Sequence, residues 1–161
     1  MKHDSHEWRE KRDVLLESWV PDTQAREFLL IVFDAAEFYD DVIDKDKPLS
    51  EDHAARVLFS TMVHLPNNGF FLQHRAQLTP LMLSAINAWL DSVTYERRGD
   101  DEDLARAYML RRHHLELVQM VVFLLEGRDQ MRRVSMQIRD FFLGHETLPA
   151  YAAGIKKRGL S

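Results

Sequence analysis

Apolar residues recur at steps of three and four along most of the chain, and no stretch shows the two-residue alternation of a half-buried strand. That pattern predicts an all-α protein. Residues 5 to 18 form a charged first helix with Trp8, Leu15 and Trp19 on one side, ended by Pro21. Asp22 then caps a second helix running to about Asp44. Ser50 caps a third, in which Ala54, Val57, Leu58, Thr61 and Leu65 keep helical spacing. Leu65-Pro66-Asn67-Asn68-Gly69 reads as the clearest loop. A short helix over 70–77 precedes Thr79-Pro80, where Thr as cap and Pro at the first position restart a fourth helix carrying Leu81, Ala85, Trp89 and Val93 inward. Leu104 to Glu126 forms a fifth, apolar on nearly every side from Leu117 to Leu125 and so expected at the centre of a bundle. Gly127 stops it, and a sixth helix over about 129–143 buries Met131, Val134, Ile138 and Phe141. The expectation is a single-domain bundle of about six helices over residues 1–146. A loosely held basic tail follows over 147–161, ending in Lys156-Lys157-Arg158 before the last three residues.

The second helix departs from ordinary patterning. Phe28, Ile31, Val32, Ala35, Ala36, Tyr39, Val42 and Ile43 share a broad apolar face, while Asp34, Glu37, Asp41 and Asp44 fall within about 80° of arc on the other side. Asp40 and Asp46 add to the cluster, and no Lys or Arg intervenes between Arg26 and Lys45. Like charges at these spacings cost a few tenths of a kcal/mol per pair. They also lie toward the helix C-terminus, where the macrodipole disfavours anions. Three readings follow: a solvated polar face, an Arg-compensated surface within the protein or an oligomer, or a hard-cation site. For the last, Asp40, Asp41, Asp44 and Asp46 offer oxygen ligands to Mg²⁺, Mn²⁺ or Ca²⁺. The spacing is not an EF-hand: counting from Asp44, the sixth position is not Gly and the twelfth is Ala55. The run 100–103 places acids in a first helical turn, where the dipole favours them, and needs no functional explanation.

Composition narrows the classes. The 161 residues suit one domain, with 45% apolar and 29% charged residues, the balance of a soluble globular protein. The net charge of −5 is the wrong sign for a dedicated nucleic-acid binder. Without cysteine there is neither a disulfide framework nor a thiolate metal site. The N-terminal stretch has no apolar signal core, and no apolar run nears the ~20 residues that span a bilayer. No membrane association and a cytoplasmic location are expected.

Other constellations are weaker. Arg111 and His114 fall on the apolar side of the fifth helix; a buried Arg needs a carboxylate, and the acidic helix is the obvious donor. Arg128, Arg132 and Arg139 form a narrow basic stripe on the sixth. His113 and Glu116 stand three apart, in the reverse order of the Glu-x-x-His of di-iron bundles and without a second copy. His53, His64, His74 and His145 lack ligand spacing, and no phosphate loop, HExxH or Gly-x-Ser-x-Gly element occurs.

Asp40-Asp41-Val42-Ile43-Asp44 matches the DDxxD string of diphosphate-binding isoprenoid synthases, without their second acidic motif and at about half their usual size. The all-α nucleotide pyrophosphohydrolases bind Mg²⁺ through acidic pairs on neighbouring helices, whereas Asp34-x-x-Glu37 and Asp41-x-x-Asp44 lie on one. Tyr39-Asp40-Asp41, Asp44-x-Asp46-x-Pro48, Leu65-Pro66-Asn67-Asn68-x-Phe70-Phe71 and Asn87-x-Trp89 together resemble a family of small bacteriophage-encoded helical proteins over residues 39 to about 126. That resemblance implies a phage product, in the host cytoplasm or the virion, and brings no activity with it. The leading expectation is a non-enzymatic module that works by self-association or by binding a protein partner through Asp34, Glu37, Asp41 and Asp44. The alternative is a Mg²⁺- or Mn²⁺-dependent phosphohydrolase or diphosphate-binding enzyme, with Asp40, Asp41 and Asp44 as ligands and Arg111 on the phosphate.

Overall fold

A computed structural model describes residues 5–44 and 48–159, with side chains from residue 7 onward. Most of those residues are helical and none of them is in a strand, so the all-α expectation holds. The chain divides into two compact units, Met1–Arg75 and Ala76–Ser161, where a single bundle was expected.

The first unit holds α1 (Ser5–Trp19), α2 (Thr23–Asp44), α3 (Glu51–Phe59), a π-helical turn (Ser60–His64), the short α4 (Leu65–Asn67) and the start of α5 (Gly69–Arg98). The α1–α2 corner is set locally. Asp22 Oδ1 accepts from Ala25 N at 2.7 Å, the expected cap, and Arg26 Nη1 donates to the carbonyls of Val20 and Pro21 at 2.7 and 2.8 Å. Ser50 caps α3 through His53 N. The expected loop at 65–69 shrinks to one residue, because Leu65–Asn67 continues helically. Asn68 then closes the gap: its side chain accepts from Phe71 N at 2.9 Å and donates to Gln24 O at 2.9 Å, tying the entry of α5 to α2. Phe28 stacks on Phe71 and tilts against Phe70, with ring centroids 5.7 and 6.2 Å apart.

The face α2 buries is not the one its pattern suggests. Ala25, Phe28, Leu29 and Phe33 are buried, whereas Ala36 and Tyr39 are exposed. Phe28 is covered by Phe70 and Phe71 and Phe33 by Arg12 of α1, which leaves the buried stripe turned toward the carboxylate side. A sequence pattern weighs apolarity alone and misses such a partner. On α3, Val57 is buried and Leu58, at the same helical spacing in the sequence, is exposed.

The second unit holds the rest of α5, α6 (Asp101–Leu110), α7 (Leu115–Gly144) and α8 (Leu148–Arg158). The expected restart at Thr79-Pro80 is not found: Pro80 lies inside α5, and the non-helical residue is His74 (φ −113°, ψ 18°). Gly99, at φ 79°, ends α5, and Asp100 caps α6 through Asp103 N at 2.8 Å. The helix expected over 104–126 is broken at residues 111–114. There, the N–H groups of Arg112, His113, Leu115, Glu116 and Leu117 reach back three residues rather than four, at 3.0–3.2 Å. Gly127, at φ 81° and ψ −175°, interrupts α7 where the stop was expected. Only Gly adopts this backbone without strain, and it folds the two halves of α7 back far enough for Arg139 to meet Glu116 at 2.9 Å.

The residues expected as a loose tail form α8. Thr147 caps it, Pro149 occupies its first turn, and Tyr151 and Ile155 pack on Leu104 and Ala107. Lys156, Lys157 and Arg158 sit in its last turn, where the dipole favours cations, and Lys156 reaches Asp101 at 2.6 Å.

Candidate functional site

The acidic helix meets its counter-charge inside its own unit. Asp34 Oδ2 accepts from Arg56 Nε, and Oδ1 from Arg56 Nη2, both at 3.1 Å. His53 Nε2 lies 3.1 Å from the same Oδ1. Burial alone would raise the Asp34 carboxyl, but the Arg56 hydrogen bonds and the charges of Arg56 and His53 outweigh it and hold it below the usual range. Arg56 is correspondingly raised, first by its hydrogen bond to Asp34. Glu37 pairs with Arg9 of α1. One turn further along α1, buried Arg12 lies over the rings of Trp8 and Phe33 at 5.6 and 5.7 Å and meets Asp13 at 2.8 Å.

Asp40, Asp41 and Asp44 are half-buried, and Asp46 lies outside the described residues. Among the described residues, no group of three or more His, Cys, Asp or Glu side chains is placed to hold a metal ion. The motive for a contact surface, uncompensated charge, therefore does not apply to Asp34 or Glu37. Their partners were legible only as bases at matching helical register, Arg56 and His53 three apart on α3 and Arg9 on α1.

Arg111 has a different carboxylate from the one expected. It bonds Glu96 of α5 through Nε to Oε1 and through Nη2 to Oε2 at 2.7 Å, a two-pronged contact, with Trp89 5.8 Å from its guanidinium carbon. Tyr151 of α8 donates its hydroxyl to Glu96 Oε1. Burial first, then the hydrogen bond to Glu96, push the Tyr151 phenol well above its ordinary range.

Glu96 is 1% exposed, so both carboxylate oxygens are spent on this contact and neither is presented to a substrate. Glu96 was missed, although its register gives it away: it lies seven residues after Trp89 and three after Val93, on the inward face of α5. Beside this pair, Arg112 lies 3.8 Å over the Tyr108 ring and donates to Tyr108 O at 2.9 Å. Tyr108 Oη donates to the carbonyls of Leu143 and Glu146 at 3.0 and 2.6 Å, fastening the end of α7. The carboxylates and guanidiniums thus lock α5, α6, α7 and α8 together.

His114 sits at the break between α6 and α7. Its Nδ1 lies 3.1 Å from Arg111 O, and its ring meets Phe142 edge-on at 5.6 Å. Burial first drives its pKa down to about 4, against a smaller upward pull from the Arg111 carbonyl, with the Arg112 and His113 charges adding the least. His113 Nε2 lies 3.1 Å from Ser84 Oγ, the reach of a nucleophile and its base. No carboxylate among the described residues bonds its other nitrogen to orient it. The basic stripe does not act as one surface: Arg139 pairs with Glu116, Arg128 lies 3.9 Å from its neighbour Asp129, and Arg132 is exposed.

The stretch around Leu58, whose residues keep helical spacing in the sequence, presents an apolar surface. Leu58, Phe59, Met62 and Val63 are 56%, 61%, 69% and 46% exposed, and Ala55 and Pro66 on the same stretch are exposed too. The π turn runs through this face. Leu65 N reaches back to Ser60 O, and Thr61 Oγ1 donates to Val57 O at 2.7 Å, occupying a carbonyl at the widened turn. Among the described residues, no helix is long and apolar enough to cross a membrane. No protein-family model, curated protein or solved structure matches the chain.

Proposed function

We propose that this chain is a non-catalytic helical module that works by assembly or partner binding, and that its contact surface is the apolar face of α3 and the π turn. One observation carries the reading. Four large apolar side chains within six residues stand about half or more exposed, while Val57 beside them is 6% exposed. Scattered exposed apolar residues are ordinary, but a contiguous run of them marks a contact site. A π turn within the run adds weight, since such turns collect at functional positions. The phage source and the host-cytoplasm or virion setting implied by the sequence resemblance belong to the same proposal.

The test is the stability of the Phe59→Asp, Met62→Asp double variant at low protein concentration. The urea midpoint is expected to stay within error of the parent, because solvent-facing changes away from special features move stability by about 0.5 kcal/mol or less. A large drop means these side chains belong to a core, and the reading fails. Millimolar Mg²⁺ or Mn²⁺ is expected to leave the midpoint unchanged; a rise would revive a metal-dependent function.

A further inference from the structure

We infer that α8 is a detachable strap: it lifts off α6 by itself, turning at Thr147, while α5, α6 and α7 stay folded beneath it. The near side of the turn is fastened. Tyr108 Oη holds the carbonyls of Leu143 and Glu146 at 3.0 and 2.6 Å, and Arg112 Nη2 lies 3.5 Å from Glu146 Oε2. These pins end one residue before the cap of α8. Thr147, the cap itself, is extended at φ −78° and ψ 152°.

What holds α8 down is slight. At 11 residues it falls short of the roughly 12–15 at which an isolated helix becomes even marginal in water, and Gly154 inside it weakens it further. Its helical state therefore depends on docking. The docked side chains are Tyr151 and Ile155, 4% and 0% exposed, with Ala152 partly buried beside them. Tyr151 adds its hydrogen bond to Glu96, and Lys156 an ion pair with Asp101 in which both side chains are more than half exposed. By contrast, α7 buries Leu117, Val118, Val121, Val122 and Ile138. Local opening is easiest where buried contact is least, which makes α8 the low-stability element of the second unit. Lifting it also strands no charge: Glu96 keeps both oxygens on Arg111, and the side chains newly wetted are those of Leu104, Ala107, Tyr95 and Tyr108. The strap thus gates an apolar strip centred on α6, reached by solvent while α8 is up.

Hydrogen exchange on the full chain, read peptide by peptide, tests this. Amides of α8 are expected to exchange roughly a hundredfold or more faster than those of 117–122, yet more slowly than in an unstructured chain. Two substitutions separate the strap from the body beneath it. Ile138→Val, at a fully buried position of α7, is expected to speed the slowest α7 amides about fivefold and to leave α8 unchanged, since α8 opens without unfolding α7. Thr147→Ala removes the exposed cap that accepts from Ala150 N and is expected to speed α8 about fivefold. Equal protection of α8 and α7, a rise of α8 in step with α7 on Ile138→Val, or no response of α8 to Thr147→Ala overturns the inference. So does an α8 with no protection in the parent chain, which would mean that it does not dock at all.

Discussion

The two units handle buried charge in opposite ways. In the first, several carboxylates crowd one face of α2, and the bases that answer them, Arg9, Arg56 and His53, come from the flanking helices at largely half-exposed positions. In the second, the carboxylate of Glu96 is sealed beneath Arg111 and Tyr151. The crowded site is conspicuous in sequence and modest in energy, since half-exposed pairs in high dielectric contribute about 1 kcal/mol or less. The inconspicuous one is where loss of a partner is costly, because the remaining charge has no water to turn to.

The largest expected effect breaks the sealed pair. Arg111→Ala leaves Glu96 buried and uncompensated and should cost the second unit about 3–5 kcal/mol. Hydrogen exchange read segment by segment is expected to rise over α5 to α8, with the α2–α3 region little changed. Equal loosening of both units would sink the contrast.

Next is pH. His114 has an ordinary pKa of 6.5 and about 4 in the folded chain, so between those values the unfolded chain binds more protons and the second unit loses stability as pH falls. The loss is on the order of 2 kcal/mol after allowing for the part of the ring that water reaches. Asp34 is held below its ordinary 3.8, so its contribution to the first unit is present above that value and fades only as pH falls beneath it. On acidification the second unit should therefore loosen first, and His114→Gln should flatten the difference. The raised Tyr151 phenol acts at the other end: the unfolded chain gives up that proton above its ordinary 10.0 while the folded chain keeps it, so the second unit also weakens as pH rises past that value.

The smallest effect probes the crowded site. Arg56→Ala should cost under about 1 kcal/mol, and the cost should shrink in high salt, because Arg56 is exposed. A loss of several kcal/mol would make the two sites equivalent.

Much of the fold was legible because its signals are local. Asp22 and Ser50 as caps, Gly127 as a helix stop and the acid-favouring turn after Asp100 each follow from one or two side chains acting on nearby backbone. The breaks were harder to read. Thr79-Pro80 has the composition of a helix start, yet the first turn of an unbroken helix and the interior of a kinked one tolerate the same pair. The chain departs at His74 instead. The turn at 111–114 has no Gly or Pro to announce it; Arg111, Arg112 and His114 are held there by Glu96, Tyr108 and Phe142, from elements up to about 30 residues away. The α8 segment looked like a tail because only Tyr151 and Ile155 in it are buried, too few to register as a periodic face.

By itself, the sequence determined the helical class, most of the caps, the absence of thiol chemistry and the anomaly of carboxylates gathered on α2. Periodicity and capping act within a few residues, so those features travel with the chain. Tertiary structure decided which base meets which acid, that Arg111 takes Glu96 rather than an α2 carboxylate, and that Leu58, Phe59, Met62 and Val63 face outward. Pairing and exposure depend on what packs opposite a side chain, and an amphipathic pattern records only that a face is apolar, not whether anything covers it.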